Sequence, residues 1–573
     1  MNNLSTSDIL VFILYFILIA GYGYWIYRKK KKASVTASHD FFLAEGSLTW
    51  WAIGASLIAS NISAEQFIGM SGNGFFVGIA VAAYEWVAAI ALIIIAVWFI
   101  PIYLKNKIYT MPQFLKTRYN ETVSLIMAIF WLFLYIFVNL TSILFLGAVA
   151  ISGLVGPEYF HVVMVGLAVF ALIITLGGMK VIGYTDVIQV AVLIIGGFAT
   201  IYFALTIVSE KFGLGRDALA GFNTLLKEAP DHFHMILSKP DASSSQEYIS
   251  KYLLLPGIAM YFAGQWIVNL NYWGCNQYIT QRALGADLQT ARKGILFAGF
   301  LKLFMPVIVM LPGIAAYVLH KGGHLQVNGM DSAYSSILGF LPEGLKGLSI
   351  AALTAAIVAS LAGKLNSIST IYTYDIHNKY FKKKAAEEQD VNIGRADEHK
   401  QVWTGRIVAV MAVLISLLFT WNDLLGIKGE GGFTFIQKYT GFISPGVFAM
   451  FILGMFWKRT TGTAAVAGLV TGLLLAVFFN NYAVAVFGHE TWLYTAFKTM
   501  EEGKEVYQIP FLINVGWSFF FTVLLMAVIS MAGPKINPKA FELDRSMFRL
   551  SPSVIAMIVI TLLILTVLYA KFW

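Results

Sequence analysis

The sequence has one cysteine, Cys275, which excludes an intrachain disulfide and any cysteine-based metal cluster. Charge is also scarce: charged side chains make up 12% of the 573 residues and hydrophobic ones 58%, where a soluble domain carries roughly 25% charged residues. Catalytic constellations are missing too. No Ser/His/Asp grouping, metal-ligand spacing or phosphate-cradling glycine loop falls in one place, and Ser71-Gly72-Asn73-Gly74 reads as a turn. The longest polar stretches, about 210–251 and 376–403, are too short for a catalytic domain. The chain is therefore expected not to be an enzyme, and its composition suits lipid.

Apolar runs of about 20 residues, the length that crosses a bilayer, place helices near 8–27, 49–70, 76–104, 122–150, 160–179, 184–209, 253–279, 294–320, 347–372, 404–421, 433–457, 462–481, 508–531 and 552–571. That makes fourteen spans. The first lacks a small-residue cleavage site and ends in a basic run, so it reads as a retained helix. The net charge of +9 is distributed by topology. If the spans alternate, 26 of the 40 Lys and Arg lie on one side, among them Arg28 to Lys32, Lys105, Lys116, Arg118, Arg282, Arg292, Lys379, Arg406, Arg459 and Arg549. By the positive-inside rule that side is the cytoplasm, and both termini lie outside it. The basic excess then calls for no nucleic acid. In the 210–251 loop, His232 and His234 read as solvated with no third metal ligand, 222–237 as a short surface helix and Ser243 to Gln246 as a loop tip.

Two spans carry polar interruptions. Span two is broken by Ser60-Asn61-Ile62-Ser63-Ala64-Glu65-Gln66, and span seven by Asn269-Leu270-Asn271-Tyr272-Trp273-Gly274. Backbone groups freed at membrane depth must line a buried cavity or coordinate something. Each interrupted helix opens a set of five spans, and because five is odd the two sets enter the membrane from opposite sides, as an inverted repeat does. The expected domains are 1–48, a peripheral helix and basic cytoplasmic loop; 49–209, the first repeat; 210–252, an extracytoplasmic loop; 253–457, the second repeat; and 458–573, three peripheral helices.

Polar side chains inside the spans point to the site. Glu85, in Tyr84-Glu85-Trp86, would be costly unpaired, and Lys302 is its natural counter-charge. A carboxylate accepts from hydroxyls, an ammonium donates to them and an amide does both, which suits a neutral polyol. Asn61, Gln66, Asn139, Asn269 and Gln437 supply amides. The alternative is a structural ion pair with amides as interhelical glue, and for Asn139 the two readings weigh equally. Tyr272 and Trp273 could stack on the apolar face of a sugar.

These residues resemble a known family. The run from Gly54 to Gly72, Tyr84-Glu85-Trp86, the run from Tyr135 to Ser142, the run from Thr185 to Val190, and Tyr439-Thr440-Gly441 are similar to the sodium/solute symporters of the sodium:glucose type, over nearly the whole chain. The resemblance implies an all-α membrane protein of LeuT-like fold, with a 5+5 inverted-repeat core. It implies sugar contacts at Gln66, Glu85, Asn269, Lys302 and Gln437, with Asn61 and Asn139 nearby, and Tyr272 as the inner gate. Sodium would sit on the carbonyls of Ala59, Ile62 and Ala356 and the hydroxyl of Ser360, with Asp186 on its exit route; a structural role for Asp186 stays open. Where the family has two adjacent serines this chain has Ala359 and Ser360, so one hydroxyl remains.

The function implied is symport, in which sodium inflow drives uptake of a neutral sugar, a hexose such as galactose or glucose, by alternating access. Sodium is co-transported, the setting is a bacterial inner (plasma) membrane, and homodimer formation is left open. The alternatives are sodium symport of another polar solute, such as an inositol, a sialic acid or an amino acid, and an uncoupled sugar facilitator.

Overall fold

The computed structural model describes residues 4–28, 48–63, 65–381, 391–426, 432–501 and 504–573. The basic residues Lys29 to Lys32 and Lys382 to Lys384 lie outside the described residues. The fold is helical almost throughout. Helix α1 (Thr6–Arg28) precedes a first set that contains α2 (Trp50–Asn61), α3 (Ser71–Phe76), α4 (Ala83–Ile94), α5 (Glu121–Phe133), α6 (Thr141–Val155), α7 (Phe160–Leu176) and α8 (Met179–Lys211). After α9 (Ala218–Glu228) the second set contains α10 (Gln246–Leu254), α11 (Ala259–Phe262), α12 (Gln265–Cys275), α13 (Gln277–Leu284), α14 (Leu288–Lys302), α15 (Met305–Lys321), α16 (Leu345–Ile371), α17 (Val391–Trp421) and α18 (Gly432–Phe456). The chain closes with α19 (Gly462–Asn481), α20 (Phe511–Met531) and α21 (Pro552–Phe572). Between α19 and α20 an antiparallel ribbon pairs β1 (Phe497–Glu501) with β2 (Lys504–Gln508), a feature that span counting does not reveal.

Among the described residues, 12 helices are long and apolar enough to cross a membrane, or 13 when α10–α11 and α12, bent by 80°, are counted as one span. The remaining expected span is the broken one, whose halves α2 and α3 are each too short to cross alone. Each set of five thus opens on a divided helix. The second division differs from expectation. Asn269 to Gly274 are helical within α12, and the chain leaves the helix at Asn276 (φ −92°, ψ 131°). The amides do not break the helix because each finds a partner that leaves the ladder intact: Asn269 Nδ2 donates to Gln265 O over 3.0 Å, and Asn271 Nδ2 to Ser444 Oγ of α18 over 3.0 Å.

Other local expectations change as well. Ser71 to Gly74 form the first turn of α3, and because Gly72 and Gly74 lack side chains, α3 lies against the backbone at Met330 and Met310. In the 210–252 loop the helix covers Ala218–Glu228, and Ser245 caps α10 through Tyr248 N (3.1 Å). His232 is 3% exposed; its Nε2 meets Phe75 O at 3.0 Å and its ring stacks on Tyr317. Its place beneath Gly78 and Tyr317 removes it from solvent, whereas His234 stays exposed.

The helix ends explain where several charges went. The last carbonyls of a helix have no partner in their own ladder and carry partial negative charge. Arg118 donates to Gly454, Trp457 and Thr460 carbonyls at the end of α18. Arg406 donates to Leu176 O of α7 (3.1 Å) and Arg459 to Met531 O of α20 (2.8 Å). All three close the carbonyl ends of helices. The opposite arrangement occurs at the start of α16, where Asp8 Oδ1 accepts from Gly344 N and Gly347 N, both at 2.8 Å.

Candidate functional site

The first break is built by a side chain that takes over backbone bonds. Gln66 Oε1 accepts from Ser63 N (3.0 Å) and Ser63 Oγ (3.3 Å). Gln66 N donates to Ser63 O at 3.2 Å, not to Ile62 O as a continued helix would require. Ile62 is extended (φ −78°, ψ 119°), and the chain resumes as a π-helical turn, Glu65–Met70. Such turns recur at functional sites. A second one, Leu134–Leu140, carries Asn139.

Facing this break is a polar chamber of about 80 Å³ lined by Asn61, Gln66, Glu85, Asn139, Asn269, Tyr272, Lys302 and Gln437, among others. All eight were expected at the site from the sequence. The chamber is contracted, since small-molecule pockets commonly exceed roughly 300 Å³. Larger cavities, of about 570 and 490 Å³, are lined mainly by apolar side chains, from α1, α7 and α17 in one and from α15 and α21 among others in the other.

A continuous polar chain crosses the chamber. Lys302, 1% exposed at the end of α14, donates to both Glu85 Oε2 of α4 and Asn61 Oδ1 of α2. Its ammonium also stands 5.0 Å from the centre of the Trp273 ring. Asn61 Nδ2 donates to Tyr272 OH over 3.0 Å, so α2 and α12 are tied across the cavity. The local sequence favours this placement of Lys302. Pro306 has no N–H to continue the ladder, so α14 ends and α15 begins there, and the indole of Trp86 donates to Leu303 O (3.4 Å) in the gap.

A second polar chain runs where α2 packs on α16 and α8. Lys364 Nζ donates to Ser360 Oγ (2.9 Å), Ser360 Oγ to Ser60 O (3.1 Å), and Ser60 Oγ to Ser56 O (2.8 Å). Ser56 Oγ then donates to Asp186 Oδ2 (2.5 Å) and accepts from Arg282 Nε (2.7 Å). Asp186 and Arg282 form a fully buried pair at 3.7 Å. Gly363 makes room for it, because a Cβ there would meet the Arg282 guanidinium and Ser60 Oγ. Ala59 and Ile62, on the broken helix, and Ala356, on α16, lie in the elements that carry this chain, and all three are buried.

Sequence reasoning missed the partners in this second chain. Arg282 reads as one more charge on the basic side, yet it is 2% exposed and serves as counter-ion to Asp186. Lys364 falls within an apolar span, and a buried ionisable group there is the signal that should have marked it. Asn276, Tyr278 and Asn271 also line the chamber. Asn276 marks the true second break, where Tyr135 OH donates to its Oδ1 at 3.3 Å. Among the described residues no cluster of His, Cys, Asp and Glu is arranged to hold a metal.

Comparison with known proteins agrees with this architecture. Residues 41–472 match the model of the sodium:solute symporter family. Over its full length the chain is 41% identical to the sodium/glucose cotransporter of Vibrio parahaemolyticus, covering 99% of that protein. It is 33% identical to the mouse sodium/myo-inositol cotransporter 2 over 83% of this chain and 70% of the relative. Its fold is similar to that of a substrate-bound, outward-open Na+-coupled sialic acid symporter, with a TM-score of 0.73 at 18% identity, covering 93% of this chain and 99% of the other. The chain is a LeuT-like multi-pass membrane transporter, not an enzyme, and belongs to the sodium:solute symporter family.

Proposed function

We propose that the chain couples inward sodium flow to uptake of a neutral sugar, a hexose such as galactose or glucose, by alternating access. The observation that carries this reading is the polar chain Glu85–Lys302–Asn61–Tyr272, which joins the two divided helices through groups suited to hydroxyls. In this reading Gln66, Glu85, Asn269, Lys302 and Gln437 bind the sugar with Asn61 and Asn139 beside them. Tyr272 is the inner gate, and its rotation breaks the bond to Asn61. Sodium takes the carbonyls of Ala59, Ile62 and Ala356 with the Ser360 hydroxyl, steadies the unwound segment, and leaves past Asp186. The core is 49–209 with 253–457; 1–48, the 210–252 loop and 458–573 surround it, and both termini face away from the cytoplasm.

One monovalent charge crossing about 100 mV gains ~2.3 kcal/mol, and a tenfold ion gradient adds ~1.4 kcal/mol. Together these support accumulation on the order of a few hundredfold with one ion per sugar. The test is uptake into proteoliposomes across a panel of labelled hexoses and myo-inositol, with and without an imposed inward sodium gradient. The expected result is concentrative hexose uptake only with the gradient; hexose uptake indifferent to it would refute the coupling. Myo-inositol belongs in the panel because a relative at 33% identity is named for it and a cyclic polyol presents the same hydroxyls. Preference for it would move the substrate class without touching the ion.

A further inference from the structure

The cavity of about 570 Å³ has walls from α1, α7 and α17, with Val181 and Thr185 of α8 at its floor. At that floor α1 lies close on α8, since a Cβ on Gly23 would touch both Val181 and Thr185. The lining runs from Ile19 to Tyr27 on α1 and from Trp403 to Met411 on α17. Each stretch advances eight residues, or about 12 Å at a rise of 1.5 Å per residue. Half of a hydrocarbon core about 30 Å thick is roughly 15 Å, so the groove is nearly as deep as one leaflet. Ile173, Ile407 and Met411 are exposed along it, which leaves it open to the surrounding lipid.

Its two ends differ in chemistry. Ile19, Phe170 and Met411 make the deep end, whereas Tyr24, Tyr27, Trp403 and Arg406 stand at the mouth. Tyrosine and tryptophan collect at the headgroup level of a bilayer. Arg406 donates to Leu176 O over 3.1 Å, which holds its guanidinium at the mouth. Arg28 lies 5.7 Å from the centre of the Tyr24 ring, a cation–π distance, and Lys29 to Lys32 follow it in the sequence. Among the described residues that line the groove there is no carboxylate. The other apolar cavities lack this charge pattern: in their described linings, the one of about 490 Å³ has no charged residue and one of about 300 Å³, at the opposite end of α1, has only Asp8. Apolar depth alone would take any acyl chain; two arginines at the mouth select the headgroup, as basic pockets between membrane helices do for anionic lipids.

We propose that the groove between α1, α7 and α17 is a binding site for an anionic phospholipid of the leaflet at the basic end of α1. One acyl chain lies along Ile173 toward Phe170 and Met411, and the phosphate sits between Arg406 and Arg28. A guanidinium has five donors in a planar fork, so a bond to Leu176 O and contacts to a phosphate are compatible.

The test is native mass spectrometry of the delipidated full-length protein, titrated with phosphatidylglycerol or with phosphatidylcholine of the same acyl chains. Phosphatidylglycerol is expected to half-saturate one site at a concentration roughly tenfold or more below phosphatidylcholine. Arg406→Gln and Arg28→Gln should each erase most of that preference; Arg28 is exposed and caps no other helix, so its variant carries the charge test should Arg406→Gln fold poorly. Ile173→Trp, which fills the groove from an exposed position, should weaken binding of both lipids, and Leu219→Trp, which fills the uncharged cavity instead, should weaken neither. Equal half-saturation by the two lipids overturns the proposal, as does a preference that survives both arginine changes within twofold. An equal loss in Ile173→Trp and Leu219→Trp overturns it as well. Glycerol 3-phosphate supplies the phosphate without chains and should not displace the lipid; displacement would place the ligand on the basic surface and outside the groove, and would also refute the proposal.

Discussion

Two buried ion pairs touch α2, one at Asn61 and the other at Ser56, and their surroundings differ. Lys302 and Glu85 line a cavity, and the ammonium is shared with an amide that bonds to Tyr272. Asp186 and Arg282 are absent from that cavity's lining; they are packed under Gly363 with a serine hydroxyl between them. A buried pair gives little net stability, yet removal of one partner leaves an uncompensated charge. The difference lies in what can replace a lost partner. In the chamber a hydroxylated guest or water can take its place. The Asp186–Arg282 pair is 1% exposed on both sides, and its bridging Ser56 hydroxyl is already donating, so a lost partner is less readily replaced there.

The largest expected effect therefore belongs to the sealed pair. Arg282→Met should cost about 3–5 kcal/mol, the usual cost of breaking a buried pair, read as a steep loss of thermal stability in detergent. The neutral double variant Asp186→Asn with Arg282→Met should recover most of it. Equal stability of the single variant and the native protein would show that the pair is not sealed. Next comes the chamber, where Glu85→Gln replaces a charged acceptor by an amide. Hydrogen bonds to charged groups contribute about 1.5–3 kcal/mol, so half-saturating hexose should rise roughly 10- to 150-fold. Here the neutral double variant with Lys302→Met should restore folding but not transport. Recovery of transport would make the pair structural, like its counterpart. Smaller still is Tyr272→Phe, which removes one neutral bond to Asn61. A change of about 0.5–1.5 kcal/mol, or roughly 2- to 13-fold in apparent affinity, is expected in sugar binding, and no change would detach the gate from the sugar site.

The same contrast shows what the sequence made legible. The broken first helix, Glu85, Lys302 and the amides could be read because polar residues in an apolar span have few uses. Family resemblance then ordered them. The sealed pair was half visible. Asp186 was marked through the family resemblance alone, while Arg282 follows a span on the basic side, and nothing in its local sequence separates a topological charge from one folded back under a helix. Arg118, Arg406 and Arg459 show the same limit: each looks like a basic flank, and only tertiary contact makes it a cap for another helix's carbonyls. The second break was placed at 269–274, ahead of its position at Asn276, for a similar reason. An asparagine can donate to a carbonyl four residues back or to a neighbouring helix, and Asn269 and Asn271 do so without unwinding the chain.

A third buried titratable group calibrates both pairs, because its hydrogen-bond partner is a backbone carbonyl and not an opposite charge. His232, in the 210–252 loop, meets Phe75 O and the Tyr317 ring. Burial holds its imidazole below the usual value, and the Lys251 charge acts in the same direction; the bond to Phe75 and the charges of Asp231 and Glu247 oppose it only in part. The folded state therefore binds this proton less readily than the unfolded chain, whose histidine titrates near about 6.5. Above that pH both states are neutral and the contribution is complete. As pH falls below it the unfolded chain takes up a proton first and stability is lost, by at most about 1.4 kcal/mol per pH unit until the folded group titrates too. Melting temperatures between pH 7.5 and 5.5 should thus decline toward acid in the native protein and decline less in His232→Asn. Parallel curves for the two would mean that the imidazole is hydrated in the folded state. In that case packing around His232 would fail to exclude water where packing around Asp186 is expected to succeed.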